Sequence, residues 1–493
     1  MQENISDLRK SKERNLQAVI ELGFNPYEYE YEKNSFTSEV HEKHGSIKAG
    51  KELKKPSYKI AGRIISLRSF GKLAFGDLID EKGKIQFCAR EGVLAEKEMK
   101  LFKHLDIGDI IGIEGTVFKT KKGELTILAK KLNLLTKSIE VLPEKWHGLQ
   151  DKELRYRQRY VDLIVNREVK ETFIKRNLIV QSIREFLNKE GYTEVETPIL
   201  QPIYGGARAR PFESLLNELK IKVYMRISNE LYLKRLIVGG YEKIFEFSKD
   251  FRNEGIDRTH NPEFLQMETM WAFADYTENM RVCEEMISFT AKKLLGKTRI
   301  EHEGKSIELK APWNKITFTE AVKKYAGIDW EKINSLEEAK EKASALGIET
   351  AKFEGIGETA MKIFEEKVQP QLVQPTIIYD YPKEVFGLAK TKRGNERLAE
   401  AFEPIVDGIE LGLSYSEENN PEKLKEYWRK AEDFFKGGDF EAERMDLDFL
   451  RALEYGMPPV SGLGLGIDRL TMLLTNSASI RDVILFPFMR PEK

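Results

Sequence analysis

Between residues 55 and 137 the apolar positions come in short runs of period two, as in "YKIAGRIISL", "LAFGDLI" and "GELTILAKKLNLLT". They are broken by the turn sequences "DEKGK" and "TKKGE". Alternation of this kind with glycine-bearing turns predicts about five short strands closed into a small barrel. Ahead of it, Leu8, Leu16, Val19 and Ile20 recur at helical spacing, so residues 1–54 read as an N-terminal helical arm and 55–140 as the barrel domain. Residues 141–165, opened by "VLPEKWHGLQ", read as a linker.

The region 166–493 changes pattern. "VKETFIKRNLIVQSIREFLNKEG" sets Ile179, Ile183 and Phe186 or Leu187 on one helical face, and Gly191 ends it. "YTEVETPIL" then alternates as a strand up to Pro198. Further strands are predicted at "KVYMRI", "FEPIVDGIELGLSY" and "SGLGLGI". "YEKIFEF" and "LQMETMWAF" read as a hairpin around the loop "FRNEGIDRTHNPEF" at residues 251–264. Residues 277–395 read as a mostly helical insertion. Strands and helices do not alternate regularly, so the fold class is α+β on an antiparallel sheet, not a doubly wound parallel sheet.

Composition narrows the setting. A chain of 493 residues with 41% hydrophobic residues can bury more than one core, and 80 basic against 81 acidic residues leave a net charge of −1. A polyanionic partner must therefore be met by local patches, such as Lys119, Lys121, Lys122, Lys130 and Lys131. The two cysteines, Cys88 and Cys283, lack metal-ligand spacing and read as packing residues. No apolar leader and no run near the ~20 residues of a membrane span are present, which points to a cytoplasmic protein.

The hairpin loop carries the chemistry. Arg252 offers a planar fork for a carboxylate or phosphate, Glu254 and His260 can meet a purine or polyphosphate, and Phe264 can stack on a base. "GLGLGIDRL" is too close to the end of the chain for a dinucleotide fingerprint. It reads as a strand with Leu463, Leu465 and Ile467 on one face and glycines on the other, running into a helix near Asp468 that carries Arg469. Together these residues outline a nucleotide cradle.

"TEVETPIL", "FRNEGIDRTHNPEFLQMETMWAFADY" and "GLGLGIDRL" resemble, in order, the three signature motifs of class II aminoacyl-tRNA synthetases. "LPEKWHGLQDKELRYRQRYVDL", "GGARARPF", "ELYLKRLIVGGYEKIFEFSKDFRNEG" and "IRDVILFPFMRP" resemble lysyl-tRNA synthetases over nearly the whole chain. The resemblance implies a class II antiparallel sheet with flanking helices behind an N-terminal OB-fold barrel. It also implies activation of lysine by ATP and transfer to tRNA(Lys).

By that resemblance Arg252 clamps the amino-acid carboxylate and the α-phosphate, and Phe264 and Arg469 sandwich adenine over Gly466. Glu254, His260 and Asn261 hold the adenine edge and the phosphates, and Glu403 and Glu410 bind Mg²⁺. For lysine it implies Gly206, Glu230, Glu268 and Glu417, with Glu230 at the α-ammonium and Glu417 at the ε-ammonium. Three positions depart from the family. Met270 stands where a tyrosine is usual and Leu413 where an asparagine is usual, and the histidine usual before Asn217 is missing. Each loss removes a hydrogen bond worth roughly 1.5–3 kcal/mol when it serves a charged group.

In the barrel the resemblance implies an anticodon site in which Phe75 stacks on a uridine, Gln86 bonds its edge, and Arg68 and Glu124 assist. It further implies a homodimer formed through the first motif, with Pro198 at the junction. Two other readings stay open: a synthetase-like enzyme with another amino acid or a protein acceptor, and a non-catalytic RNA-binding protein.

Overall fold

The computed structural model describes residues 2–143, 149–351, 354–436, 438 and 441–492. It separates into two compact units, residues 1–150 and 151–493. In the first, strands β1 (Glu52–Phe70), β2 (Leu73–Ile79), β3 (Lys84–Arg90), β4 (Ile110–Lys119) and β5 (Leu125–Thr136) close a barrel in the order β1-β2-β3-β5-β4. The arm is two helices, Gln2–Glu21 and Thr37–His44, and Val19 and Val40 enter the barrel's own apolar core. Leu8 and Ile20 stay exposed, so helical spacing overstated the buried face.

The second unit adds β6 (Thr193–Glu194), β7 (Leu200–Gln201), β8 (Glu213–Leu216), β9 (Ile221–Met225), β10 (Lys243–Phe251), β11 (Glu263–Ala272), β12 (Arg299–His302) and β13 (Lys305–Glu308). Then come β14 (Asn314–Thr317), β15 (Thr376–Pro382), β16 (Thr391–Lys392), β17 (Asn395–Val406), β18 (Ile409–Glu410), β19 (Gly412–Ser416) and β20 (Val460–Gly466). The main sheet runs β14-β15-β17-β19-β20-β11-β10-β6 and is antiparallel except at its two ends. Side chains alternate between two apolar layers. Ile244, Ile378 and Ala401 point to one, and Phe245, Ile377 and Phe402 to the other. Helix Arg167–Lys189 packs Ile179, Ile183, Phe186 and Leu187 into the second layer.

Several expected elements differ. The strand expected from Tyr192 up to Pro198 shrinks to Thr193–Glu194, because the Thr197 amide and hydroxyl donate to the Glu246 carboxylate instead. "FEPIVDGIELGLSY" is not one strand but three, divided at Asp407, which takes φ 52°, with Gly408, and again at Leu411. In residues 277–395 helices make up the larger part of the regular structure, but strands stand among them. They include the hairpin β12-β13 and strands β14 and β15, the latter built from the β-branched and aromatic run "TIIYDYP". The linker expected over 141–165 contains helices Lys152–Arg157 and Arg159–Val165, while its residues 144–148 lie outside the described residues.

One buried ion cluster fixes the hairpin β10-β11 from below. Arg226, 3% exposed, donates to Glu246 at 2.8 Å, lies 3.2 Å from Asp250 and donates to the Thr197 and Lys249 carbonyls. Replacing Arg226 by leucine leaves two buried carboxylates without their counter-charge, which is expected to cost about 3–5 kcal/mol. A lower urea midpoint for unfolding of residues 151–493 is the check.

Candidate active site

The register of the main sheet sets the floor of the site. Gln266 faces Gly466, Glu268 faces Gly464 and Met270 faces Gly462, while Leu413 and Tyr415 of β19 flank Gly464 and Gly462 from the other side. A Cβ on Gly464 would meet no atom closer than 3.8 Å, so the bare backbone leaves room for a flat group. The floor opens into a cavity of about 1650 Å³ in the second unit. The loop between β10 and β11 brings Arg252, Glu254, His260 and Asn261 to its wall, and Phe264 follows on β11.

At one end of the cavity the Arg252 guanidinium lies 5.1 Å from the centre of the Phe264 ring. Arg469, in the first turn of helix Ile467–Thr475, donates to the Glu410 carbonyl at 2.9 Å and to its carboxylate at 3.0 Å. Its other nitrogen is 3.2 Å from His260 Nε2, and His260 Nδ1 meets Asp257 at 2.8 Å. With Nε2 accepting from the guanidinium, Nδ1–H donates to the Asp257 carboxylate, which fixes the orientation of the ring. Asn261 is buried, and its Oδ1 has no donor among the described residues.

Glu410 lines the cavity, but Glu403 lies behind the wall, buried, with the Tyr381 hydroxyl donating to it at 2.7 Å. Burial and then the charge of Glu410 push the Glu403 carboxyl well above the usual range. Glu365, on the wide helical turn Phe364–Val368, is raised by desolvation and by Glu410, and it was not singled out in the sequence. A cation would relieve this repulsion, so the donor set fits a divalent ion bound through oxygens.

At the opposite end Glu230, Glu268 and Glu417 are all buried. Gly206, at φ 83°, presses against Glu230, where a Cβ would come within 3.1 Å of the Glu230 Cβ. Lys234, 1% exposed, donates to Glu230 Oε1 at 2.5 Å, and the Tyr415 hydroxyl donates to Oε2 at 2.7 Å. Lys234 also forms an ion pair with Glu417 Oε2, a buried oxygen that receives no well-directed hydrogen bond among the described residues. Desolvation raises the Glu417 carboxyl to about 8 despite Lys234, and raises Glu268 well above the usual carboxylate range, with help from Glu230, Asp250 and Glu417. A fourth buried acid on the wall, Glu443, accepts from Tyr427 and Trp428 and is raised to about 7, mainly by burial.

In the first unit Arg68 pairs with Phe75 and Asp77 with Gln86 across neighbouring strands, so Arg68, Phe75 and Gln86 share one face of the barrel. Glu124 directly precedes β5, two residues before Thr126, which faces Gln86. The Thr126 hydroxyl donates to Gln86 Oε1 at 2.9 Å, which leaves the Gln86 amide group to donate elsewhere. Phe70, 64% exposed, stands edge-on to Phe75 with ring centres 6.4 Å apart.

Residues 151–490 match the family described as tRNA synthetases class II (D, K and N), and residues 58–135 match the OB-fold nucleic acid binding domain. The lysine–tRNA ligase of Carboxydothermus hydrogenoformans is 47% identical over 99% of this chain and 99% of its own. Those of Syntrophomonas wolfei, at 47% over 99% and 98%, and Clostridium novyi, at 48% over 99% and 95%, are similar. The chain belongs to the lysine–tRNA ligase family of class II tRNA synthetases.

Against this lysine–tRNA ligase frame, the nucleotide and amino-acid residues expected from sequence in the second unit gather in one cavity, except that Glu403 and Met270 do not line it. Met270 is fully buried, and its Sδ and Cε lie 3.0 Å from where a Gly462 Cβ would stand. It is packing under the pocket. Leu413 does reach the wall, and Leu216, before Asn217, sits on β8 away from it. Sequence reasoning missed Tyr415, which brings a phenol to Glu230 from β19, and Lys234. A signal for Lys234 existed in "ELYLK", since residues four apart on a helix share a face.

Proposed function

We propose that the protein joins lysine to tRNA(Lys) at the expense of ATP, by way of lysyl-adenylate. The observation that carries the choice of amino acid is the charge count at the closed end of the cavity. Three buried acids, Glu230, Glu268 and Glu417, share this corner with one buried lysine, Lys234, so ionising all three calls for two further positive charges. A substrate with two ammonium groups matches that deficit, and an apolar amino acid does not. Leu413 and Met270 supply no polar contact in return.

In this reading Glu230, beside Gly206, takes the α-ammonium, and Glu417 and Glu268 take the ε-ammonium. Arg252 holds the carboxylate against the α-phosphate, while adenine lies over Gly466 between Phe264 and Arg469. Glu254, His260 and Asn261 hold the adenine edge and the phosphates. The lysine carboxylate attacks the α-phosphorus, and pyrophosphate leaves with the electron pair of the broken P–O bond. A ribose hydroxyl of the tRNA terminus then attacks the acyl carbon, and AMP leaves. Alignment and charge neutralisation supply the rate, so no nucleophilic side chain is required. Glu403 and Glu410 would hold Mg²⁺, whose chemistry is to neutralise phosphate charge.

The barrel face reads the anticodon, with Phe75 stacking on an unpaired base and the Gln86 amide donating to its edge. Arg68 and Glu124 border that face. Replacing Phe75 by alanine is expected to weaken tRNA binding about 10–100-fold, from stacking worth ~1–3 kcal/mol. Lysine-dependent ATP–pyrophosphate exchange, which needs no tRNA, should be unchanged. Exposed Ile174 and Leu178 on helix Arg167–Lys189, with Ile199 and Leu200 beyond Pro198, support a homodimer through this face, which light scattering checks. No helix among the described residues is long and apolar enough to cross a membrane, in keeping with work in the cytoplasm.

The test is ATP–pyrophosphate exchange with each standard amino acid and with ornithine. Exchange driven by lysine supports the reading. Exchange driven by another amino acid, or by none, overturns it.

A further inference from the structure

Lys234 is neither a nucleotide ligand nor a surface residue. Its stem leaves helix Glu230–Val238, and its ammonium ends between the carboxylates of Glu230 and Glu417, which come from the helix start and from the segment after β19. The Tyr415 ring lies 5.6 Å from the same ammonium. A fully buried lysine is costly unless it is paired, and here both partners border the substrate cavity. Neither carboxylate has a second basic side chain in ion-pair contact among the described residues.

We infer that Lys234 is a positioning residue for amino-acid recognition, orienting Glu230 and Glu417 together and keeping them available as anions for the two substrate ammonium groups. The inference rests on the lysine reading given above. One cation bridges the two anions, so the spacing between them, and with it the length of the substrate they accept, is set by where Lys234 holds them. Tyr415 fixes the second oxygen of Glu230, and the Gly462 backbone supports Glu417, so the bridge is anchored at both ends.

The charged and titratable surroundings give a readout. Glu417 faces Lys234 and Glu230 from the helix, Glu268 from β11 and Tyr415 from β19. Glu443 and Asp250 complete the buried acids coupled to the group. Desolvation raises Glu417, and Lys234 opposes the rise. The acid form of Glu417 cannot accept an ammonium group as an ion pair, so lysine affinity increases with pH as the proton leaves, near pH 8. Without Lys234 the same proton leaves only at higher pH.

The experiment is lysine-dependent ATP–pyrophosphate exchange from pH 6.5 to 9.5 for the wild-type protein, Lys234→Met and Lys234→Arg. In the wild type, kcat/KM for lysine is expected to rise with its midpoint near pH 8 and to level off above it. In Lys234→Met the KM for lysine is expected to rise at least 10-fold at pH 7 with a smaller change in kcat, and the rising limb to move up by at least one pH unit. Lys234→Arg, which keeps the charge, is expected to leave the limb in place. A wild-type profile flat over this range overturns the inference without any variant. So does a Lys234→Met protein whose KM changes with its limb unmoved, the mark of a packing role alone. Absence of lysine-driven exchange in the wild type instead removes the lysine reading itself.

Discussion

Replacing Glu417 by glutamine is expected to raise the KM for lysine about 100-fold, equivalent to ~2.7 kcal/mol, with a smaller fall in kcat. The amide keeps the volume of the side chain but cannot balance the ε-ammonium. It also leaves Lys234 with Glu230 as its sole partner in that corner. The loss falls mainly on KM because the ε-ammonium is far from the reacting phosphorus and is bound alike in ground and transition states. Steady-state exchange kinetics over lysine concentration check it, and a KM within threefold of wild type would move the ε-ammonium elsewhere.

Replacing Arg252 by alanine is expected to act on the other parameter, lowering kcat for exchange by about 10²–10³. Arg252 sits where the loop leaves β10; its backbone N–H donates to the Pro262 carbonyl, and its Nε makes a long contact to the Ile227 carbonyl. Charge grows on the α-phosphate as the carboxylate attacks, and a fixed fork is worth more there than in the ground state. Lysine at high phosphate-buffer concentration should not restore the rate, whereas added guanidinium should restore part of it. A kcat within fivefold of wild type would remove Arg252 from the reaction.

Much of this site was legible because it is local. The loop at 252–262 is bounded by strands whose alternation is plain, and Gly462, Gly464 and Gly466 announce their own shared face. The acids Glu230, Glu268 and Glu417 follow from resemblance, but their charge deficit does not, since it depends on Lys234 arriving from a helix whose sequence also suits a solvent-facing lysine. Tyr415 was hidden for a related reason. In an alternating strand either face is allowed until the turn at Asp407 and Gly408 sets which residues look inward. The strands between 277 and 395 were lost among helices because two-, four- and seven-residue strands give period two little room to appear.

Gly462 carries an implication for how this protein can change over time. A Cβ there would lie 2.3 Å from Glu417 Oε1, so even alanine displaces the carboxylate from its seat. Leu413 and Met270 border the same corner without touching that constraint, one on the wall and one beneath it. Drift in the preferred amino acid is therefore open at 413 and 270 one methyl group at a time. At 462 it is opposed, because the first step already moves the carboxylate that any diamino substrate needs.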